Sequence, residues 1–391
     1  VDRLLGRWPD PLPGCHRRTF SDWGLTIDFW WEDAGAVLTD LASHGRRWVN
    51  AWYLDGFAPS RQVGPWRTDI YEAMAKISHR SATFATFTSA GNVKRGLQNA
   101  GFDVNKRPGF AEKRDALIGH FRTSSAERAF LTPWDLNPYP ATFDSAVVVG
   151  AGLAGAHMAH ALACRGIAVT LLEAGSCAGQ GSSNLQGITY TRLSHLHNPL
   201  TDFSNSSFSH AVDFYQSMAK SGALVDGIDI GLGGYIQLTD RIETLNYMSQ
   251  VLPRAPDFAK VVDVDEITSM INLTPRCGGI HYLKGGWLNP RALCRALLNH
   301  PKIEVREHCG EISLKRTSQS TWIAIDPEKR PLAEAPIATL ATAHATQLQD
   351  GLEWLPLNVI RGQTTHLEQP EALALMSVAL CDQGYLPPAR K

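Results

Sequence analysis

Apolar and polar positions follow two periods along this chain. Leu25-Thr26-Ile27-Asp28-Phe29-Trp30 and Val49-Asn50-Ala51-Trp52-Tyr53-Leu54 read as strands, and residues 81–88 as a third. Helical spacing occupies 34–41, 70–77 and 92–100, the last stopped by Gly101. Residues 102–107 and 116–121 make a strand pair with Gly109 between them. Alternating strand and helix predicts a largely parallel sheet, and the closing strand pair gives it an antiparallel edge. Farther on, 145–149 is an unbroken apolar strand, 156–165 a helix ended by Gly166, and 167–172 a second strand closed by Glu173. Residues 291–298 read as another helix.

Between these two patterned stretches, residues 123–142 hold Ser124, Ser125, Pro133, Pro138 and Pro140. Asn137-Pro138-Tyr139-Pro140 can continue neither a helix nor a central strand. The seam is placed there: one α/β domain over 1–123, a linker over 124–143 and a second α/β domain over 144–391. A length of 391 residues suits two domains. Both ends read as cuts. The chain opens on Val1 in charged, helix-like sequence and closes on Tyr385-Leu386-Pro387-Pro388-Ala389-Arg390-Lys391.

Composition narrows the classes. Hydrophobic residues at 44% and charged residues at 19% belong to a folded chain. With 37 basic and 38 acidic side chains the net charge is -1, which excludes a wholly basic nucleic-acid coat and leaves room for a local patch. The longest apolar region, 146–172, is interrupted by His157, His160 and Arg165, so it reads as buried strand and helix, and no membrane contact is expected. No signal-peptide pattern is present. Seven scattered cysteines without a Cys-x-x-Cys pair argue against a disulfide framework or zinc finger and fit a reducing cytoplasm. A monomer is expected.

Gly150, Gly152 and Gly155 form Gly-x-Gly-x-x-Gly between a strand and a helix. The first permits a tight turn, the second lets backbone approach a pyrophosphate, and the third lets helix pack on strand. Phosphates then sit at the helix N-terminus. Glu173, 23 residues past Gly150, can accept hydrogen bonds from ribose hydroxyls. The motif alone does not separate FAD from NAD. A second Gly-rich loop, Gly179-Gln180-Gly181-Ser182-Ser183-Asn184-Leu185-Gln186-Gly187, can add donors to the pyrophosphate and a flavin edge, which favours FAD. With Gly285-Gly286-Trp287-Leu288-Asn289-Pro290, this half resembles the glycine oxidase/D-amino-acid oxidase class of flavoenzymes, which oxidise a carbon–nitrogen bond of an amine.

In the first half, Asp55 ends a strand in Leu54-Asp55-Gly56-Phe57-Ala58-Pro59. Ligands of open α/β sheets bind at such carboxyl ends. An amine nucleophile needs a carboxylate to orient it and take its proton. The same Asp could instead cap the next element. Asp33 is likewise either a ligand acceptor or the N-cap of the helix from Ala34. From Lys94 to Arg122, seven basic residues (Lys94, Arg95, Lys106, Arg107, Lys113, Arg114, Arg122) face three acidic ones (Asp103, Glu112, Asp115). That run is either a solvated face or a surface for RNA phosphates. His195 and His197 lack a third ligand and read as ordinary loop histidines. Cys15 has no support as a nucleophile, and Trp30, Trp31, Trp52 and Trp66 read as packing.

The motifs Pro11-Leu12-Pro13-Gly14-Cys15-His16-Arg17, Leu54-Asp55-Gly56-Phe57-Ala58-Pro59, Ala85-Thr86-Phe87-Thr88-Ser89-Ala90-Gly91 and Lys106-Arg107-Pro108-Gly109-Phe110 resemble the bifunctional tRNA 5-methylaminomethyl-2-thiouridine biosynthesis (MnmC) family. Gly286-Trp287-Leu288, Gly384-Tyr385-Leu386 and the Asn184 loop resemble its flavin domain. The resemblance implies part of a Rossmann-like methyltransferase domain followed by part of a FAD-dependent amine-oxidase domain. It implies oxidation of the carboxymethylaminomethyl group on a tRNA wobble uridine, with loss of glyoxylate, then methylation of the resulting amine from S-adenosylmethionine. Asp55 would orient and deprotonate the amine, and Asp33 would lie near the adenosine of S-adenosylmethionine. Gly150, Gly152, Gly155, Glu173, Ser182, Asn184 and Gly187 would hold FAD.

The chain also departs from that family. The Gly-rich loop for S-adenosylmethionine and the segment closing over the flavin are not in this sequence, which resembles about the middle three-fifths of a full-length member. Ala343 stands where a flavin-contacting Gly is expected, and it would be strained if the site needs positive φ. Two other readings stay open: a stand-alone flavin oxidase of free amino acids, and a non-catalytic remnant.

Overall fold

The computed structural model describes residues 2–45, 47–56, 58–61, 64–109, 114–122, 143–193 and 198–390. The predicted linker therefore lies outside the described residues except for Phe143. The chain divides into two compact units: Trp30–Pro140, and Val1–Phe29 together with Ala141–Lys391. A one-turn helix α1 (Asp2–Leu5) opens it, and β1 (Gly14–Phe20) and β2 (Leu25–Trp31) form a two-stranded sheet. Gly24, at φ +58°, turns the chain between those strands.

In the unit Trp30–Pro140, α2 (Ala34–Ser43), β3 (Val49–Leu54), α3 (Thr68–Ile77), β4 (Ser78–Thr86), α4 (Gly91–Asn99), β5 (Phe102–Pro108) and β6 (Asp115–Phe121) follow in order. The sheet order is β3-β4-β6-β5. Only β3 and β4 run parallel; β6 is antiparallel to both β4 and β5. The antiparallel edge is as expected, but the largely parallel sheet is not found among the described residues. The sequence reading placed β2 in the same sheet, whereas a short turn pairs it with β1, where the Arg17 guanidinium donates to Asp28 at 2.7 Å. The core forms where Ile70, Tyr71 and Met74 on one face of α3 meet Phe84, Val93, Leu97, Phe102, Leu117 and Phe121. Trp66 is buried in that core and the Trp52 indole donates to Ser78 Oγ at 2.9 Å, as packing roles require, while Trp30 is largely exposed.

The larger unit continues with β7 (Ser145–Val149), α5 (Leu153–Ala163), β8 (Ala168–Leu172), β9 (Gly187–Thr189) and α6 (Pro199–Lys220). Next come β10 (Ile230–Gly231), β11 (Tyr235–Leu238), α7 (Ile242–Val251), β12 (Ala259–Val262), α8 (Val264–Ile271), β13 (Gly279–Tyr282), β14 (Gly286–Leu288) and α9 (Pro290–Leu298). It ends with β15 (Ile303–Arg306), β16 (Ser313–Arg316), β17 (Trp322–Ile325), β18 (Pro331–Ala335), β19 (Ile337–Leu340), β20 (Ala379–Cys381) and β21 (Tyr385–Leu386). The strands β15-β8-β7-β19 form an all-parallel sheet. The antiparallel layer β16-β17-β18 packs on it through Ile312, Ala324 and Ala335 against Val147 and Val149. A mixed sheet, β12-β13-β11-β20-β21, is centred on Tyr235 and Tyr282, stacked at 4.5 Å. Their hydroxyls accept from the amides of Thr191 and Leu193, each at 2.8 Å, and so fix the segment beyond β9.

The first 29 residues are built into this larger unit. β1 lies along α6. Arg18 is 4% exposed and donates to the Arg7 carbonyl at 2.9 Å and to Ser209 Oγ at 3.3 Å. The Arg7 guanidinium pairs with Asp213 of α6, and Lys284 donates to both oxygens of Asp10 at 2.6 and 2.8 Å. Buried cations need such partners, since an uncompensated charge there costs several kcal/mol. Among the described residues no helix is long and apolar enough to cross a membrane.

Candidate functional site

Two sites take shape, one in each unit. In the larger unit β7 ends at Gly150, whose φ of +104° suits a residue without a Cβ. Its amide donates to Leu172 O at 2.8 Å, which ties the turn to β8. At Gly155 a Cβ would stand 1.8 Å from Gly150 O, so only glycine lets α5 approach the turn this closely. Gly152 is the N-cap of α5. The N-terminal amides of α5 therefore open onto the glycine turn, where helix dipole and free N–H groups favour an anion.

The second Gly-rich loop comes to the same place. Ser182 Oγ accepts from the Leu153 amide at 3.1 Å, in the first turn of α5. Gly187 begins β9, which pairs with β14 through Leu288. Asn184 Oδ1 receives the Thr364 hydroxyl at 3.4 Å. Glu173 directly follows β8, and its two oxygens accept from Ala151 N at 2.7 Å and Gly175 N at 3.0 Å. The carboxylate is thus held beside the glycine turn, with lone pairs left over for hydroxyls. A cradle that a Cβ would fill, at the N-terminus of a helix, with an anchored carboxylate 23 residues on, fits the ADP part of FAD.

Two features of this site are not in the motif. Ala341 O lies where a Gly150 Cβ would be only 2.5 Å away, so the segment after β19 closes against the glycine turn. Two residues on, Ala343 has φ +50°, the left-handed conformation in which the sequence reading foresaw strain. Ala178, buried in the loop after Glu173, is likewise at φ +52°.

In the unit Trp30–Pro140, a cleft of about 410 Å³ opens at the carboxyl ends of β3 and β4. Leu54, Ala85, Phe87, Pro108, Ala116 and Ile118 give it apolar walls, and Asp55 and Arg107 are its charged groups. Thr86 Oγ1 accepts from the Thr88 amide at 3.0 Å, which shapes the turn leaving β4 at the cleft. Phe57, two residues past Asp55 in the motif, lies outside the described residues. Asp33 is elsewhere, in a groove lined by residues of α2 with Arg67 and Asp69. Its Oδ1 accepts from Ala36 N at 3.0 Å, so it caps α2. The structure thus puts Asp55 in a cleft and Asp33 at a helix cap apart from it.

Arg107 reads in the sequence only as one charge in a basic run; its position at the end of β5, beside the start of β6, brings it to the cleft that Asp55 lines from the other edge of the sheet. In that run Arg122 pairs with Asp103 at 2.6 Å and Lys106 with Asp115 at 3.6 Å, while Glu112 and Lys113 lie outside the described residues. No group of three or more His, Cys, Asp or Glu side chains that could hold a metal occurs among the described residues; His195 and His197 lie outside them.

The glycine cradle and the sheet behind it define a nucleotide-dependent oxidoreductase. Residues 145–388 match the family of FAD dependent oxidoreductases, and the chain belongs to that family. Residues 1–122 match a family of S-adenosyl-L-methionine-dependent methyltransferases, so a methyltransferase domain precedes the oxidoreductase domain. The particular relatives carry both. The chain is 36% identical over 393 residues to the tRNA 5-methylaminomethyl-2-thiouridine biosynthesis bifunctional protein MnmC of Chromobacterium violaceum, covering 99% of this chain and 58% of that protein. It is 35% identical over 393 residues to the MnmC of Stutzerimonas stutzeri (100% and 58%) and 31% identical over 426 residues to that of Saccharophagus degradans (98% and 59%). The chain therefore spans just under three-fifths of the length of these relatives. Among solved structures, glycine oxidase from Geobacillus kaustophilus is similar at 19% identity and a TM-score of 0.48, over 62% of this chain and 67% of that one.

Proposed function

We propose that this chain carries the two working units of a two-step tRNA-modifying enzyme. The flavin unit removes the carboxymethyl arm of 5-carboxymethylaminomethyl-(2-thio)uridine at the wobble position and leaves a primary amine. The methyltransferase unit then methylates that amine to the 5-methylaminomethyl form. The partner is tRNA, the setting the cytoplasm and the working form a monomer. One observation carries the reading: a dinucleotide cradle and a cleft headed by Asp55 occur in one chain, 99% of which aligns with just under three-fifths of an MnmC protein.

FAD, when bound, supplies the two-electron oxidation of a carbon–nitrogen bond. Gly150, Gly152 and Gly155 would seat its pyrophosphate on α5, Glu173 would meet its ribose, and Ser182, Asn184 and Gly187 would line the rest. S-adenosylmethionine supplies a methyl group, and Asp33 would lie near its adenosine. Asp55 would hold the amine in line with that group and take its proton as nitrogen attacks. The apolar walls of the cleft favour the neutral amine, which is the nucleophile.

The test uses FAD, S-adenosylmethionine and tRNA bearing the carboxymethylaminomethyl group, with nucleosides read by mass. Asp55→Asn is expected to lower the methylated product by about 10²–10⁴-fold. The aminomethyl nucleoside should accumulate, with the visible flavin band unchanged. If free amino acids are oxidised as readily as tRNA, a stand-alone amine oxidase is the better reading. A protein with no flavin band and no turnover would be a non-catalytic remnant.

A further inference from the structure

Arg107 stands in the acceptor cleft with Asp55, and no step above uses it. We infer that Arg107 binds a phosphate of the RNA strand that delivers the reacting nucleotide, and so positions the amine against Asp55. The inference rests on the tRNA reading and deepens it.

Three observations carry it. First, among the described residues, Arg107 is the cationic group lining a cleft whose other charged group is Asp55. A site for a small amine alone has no use for a guanidinium there: it repels the cationic form and offers the neutral form no acceptor. An amine attached to an anionic strand needs both charges, a carboxylate for nitrogen and a cation for the backbone. Second, two neighbouring basic groups are engaged, Arg122 by Asp103 at 2.6 Å and Lys106 by Asp115 at 3.6 Å, while Arg114, across the turn, does not line the cleft. Arg107 has no ion-pair partner among the described residues, and it is exposed. Third, it is held in place. Its register partner on β6 is Ala116, and Pro108 follows it at the end of β5, so the backbone beneath the guanidinium is paired and stiff. A planar guanidinium is suited to two parallel hydrogen bonds with phosphate oxygens.

The anion could also be the carboxylate of S-adenosylmethionine, and the experiment separates the two. The probes are a short synthetic RNA hairpin with a single-stranded loop, and S-adenosylmethionine alone. Binding of each to the full chain is measured from low to moderate salt. Arg107→Ala is expected to weaken hairpin binding roughly fivefold near 0.1 M salt and to reduce the slope of log affinity against log salt by about 0.7, one single-strand phosphate contact. Arg107→Lys should restore the slope with only part of the affinity. The double variant Asp103→Asn/Arg122→Gln, which removes a self-paired couple, should leave the slope as it is. An unchanged slope in Arg107→Ala, with the hairpin still bound, overturns the inference and leaves the tRNA reading standing. Weaker S-adenosylmethionine binding with unchanged hairpin binding also overturns it, in favour of the carboxylate. If the unsubstituted chain does not bind the hairpin, the tRNA reading falls and the inference with it.

Discussion

Ala343 holds a left-handed backbone conformation beside the segment that closes on Gly150. An L-residue there costs roughly 1–2 kcal/mol, because Cβ crowds the following carbonyl. Glycine removes that crowding, but a more flexible unfolded chain returns about 0.5–1 kcal/mol. Ala343→Gly should therefore stabilise the protein by about 0.5–1 kcal/mol, read as a higher urea midpoint at an unchanged slope. An equal or lower midpoint would show that the strain is absorbed elsewhere. The strain was legible in the sequence only through the resemblance, since nothing in the local pattern marks Ala343. The glycines of the cradle were legible from spacing alone, because each answers a steric demand of one turn. Asp33 was legible as one of two roles, and its side chain caps α2. Arg107 was hidden because a basic residue in a basic run carries no sign of which cleft a strand end will bring it to.

At the scale of elements, α5 carries the dinucleotide turn at one end and a histidine pair along its body. His157 Nε2 meets the Tyr215 hydroxyl of α6 at 3.1 Å. Burial, with His160 and His210 nearby, pushes its pKa down to about 4. An unfolded histidine titrates near 6.5. Between those values the unfolded chain takes up a proton that the folded one refuses, so stability is full above about pH 6.5 and falls toward pH 4. His157→Gln should flatten the fall in thermal midpoint between pH 7 and pH 5; an equally steep fall would assign the sensitivity to other groups. Elements with a single strong period, such as β7, β8 and α9, were readable to within a few residues. Helix α6 was not: its 22 residues include Ser204, Asn205, Ser206, Ser207 and Ser209, weak helix formers. Its start is set by a capping box of Asn198 and Thr201, and its length by packing on β1 and the Phe208 core, which no local window reports. The pairing of β2 with β1 was missed for the same reason: a strand pattern does not name its neighbour.

At the scale of the molecule, the seam in the sequence and the seam in the fold differ. A methyltransferase match begins at residue 1, yet residues 1–29 pack with 141–391, locked by Arg18, Arg7 and Asp213. No composition shift marks residue 29, because the change falls inside β2. Suppose a protease nicks the chain between 123 and 142. The amino-terminal piece still contributes Leu12 and β1 to the other piece's core, so the two are expected to travel as one particle through a sizing column and to part only in denaturant. Replacing Arg18 with Met, which leaves Ser209 and the Arg7 carbonyl without their buried donor, should let the nicked pieces separate at lower denaturant; unchanged co-migration would show that apolar contacts alone hold them. The polypeptide is then one unit inserted into another: covalently continuous twice over, and able to survive a break in its backbone without coming apart.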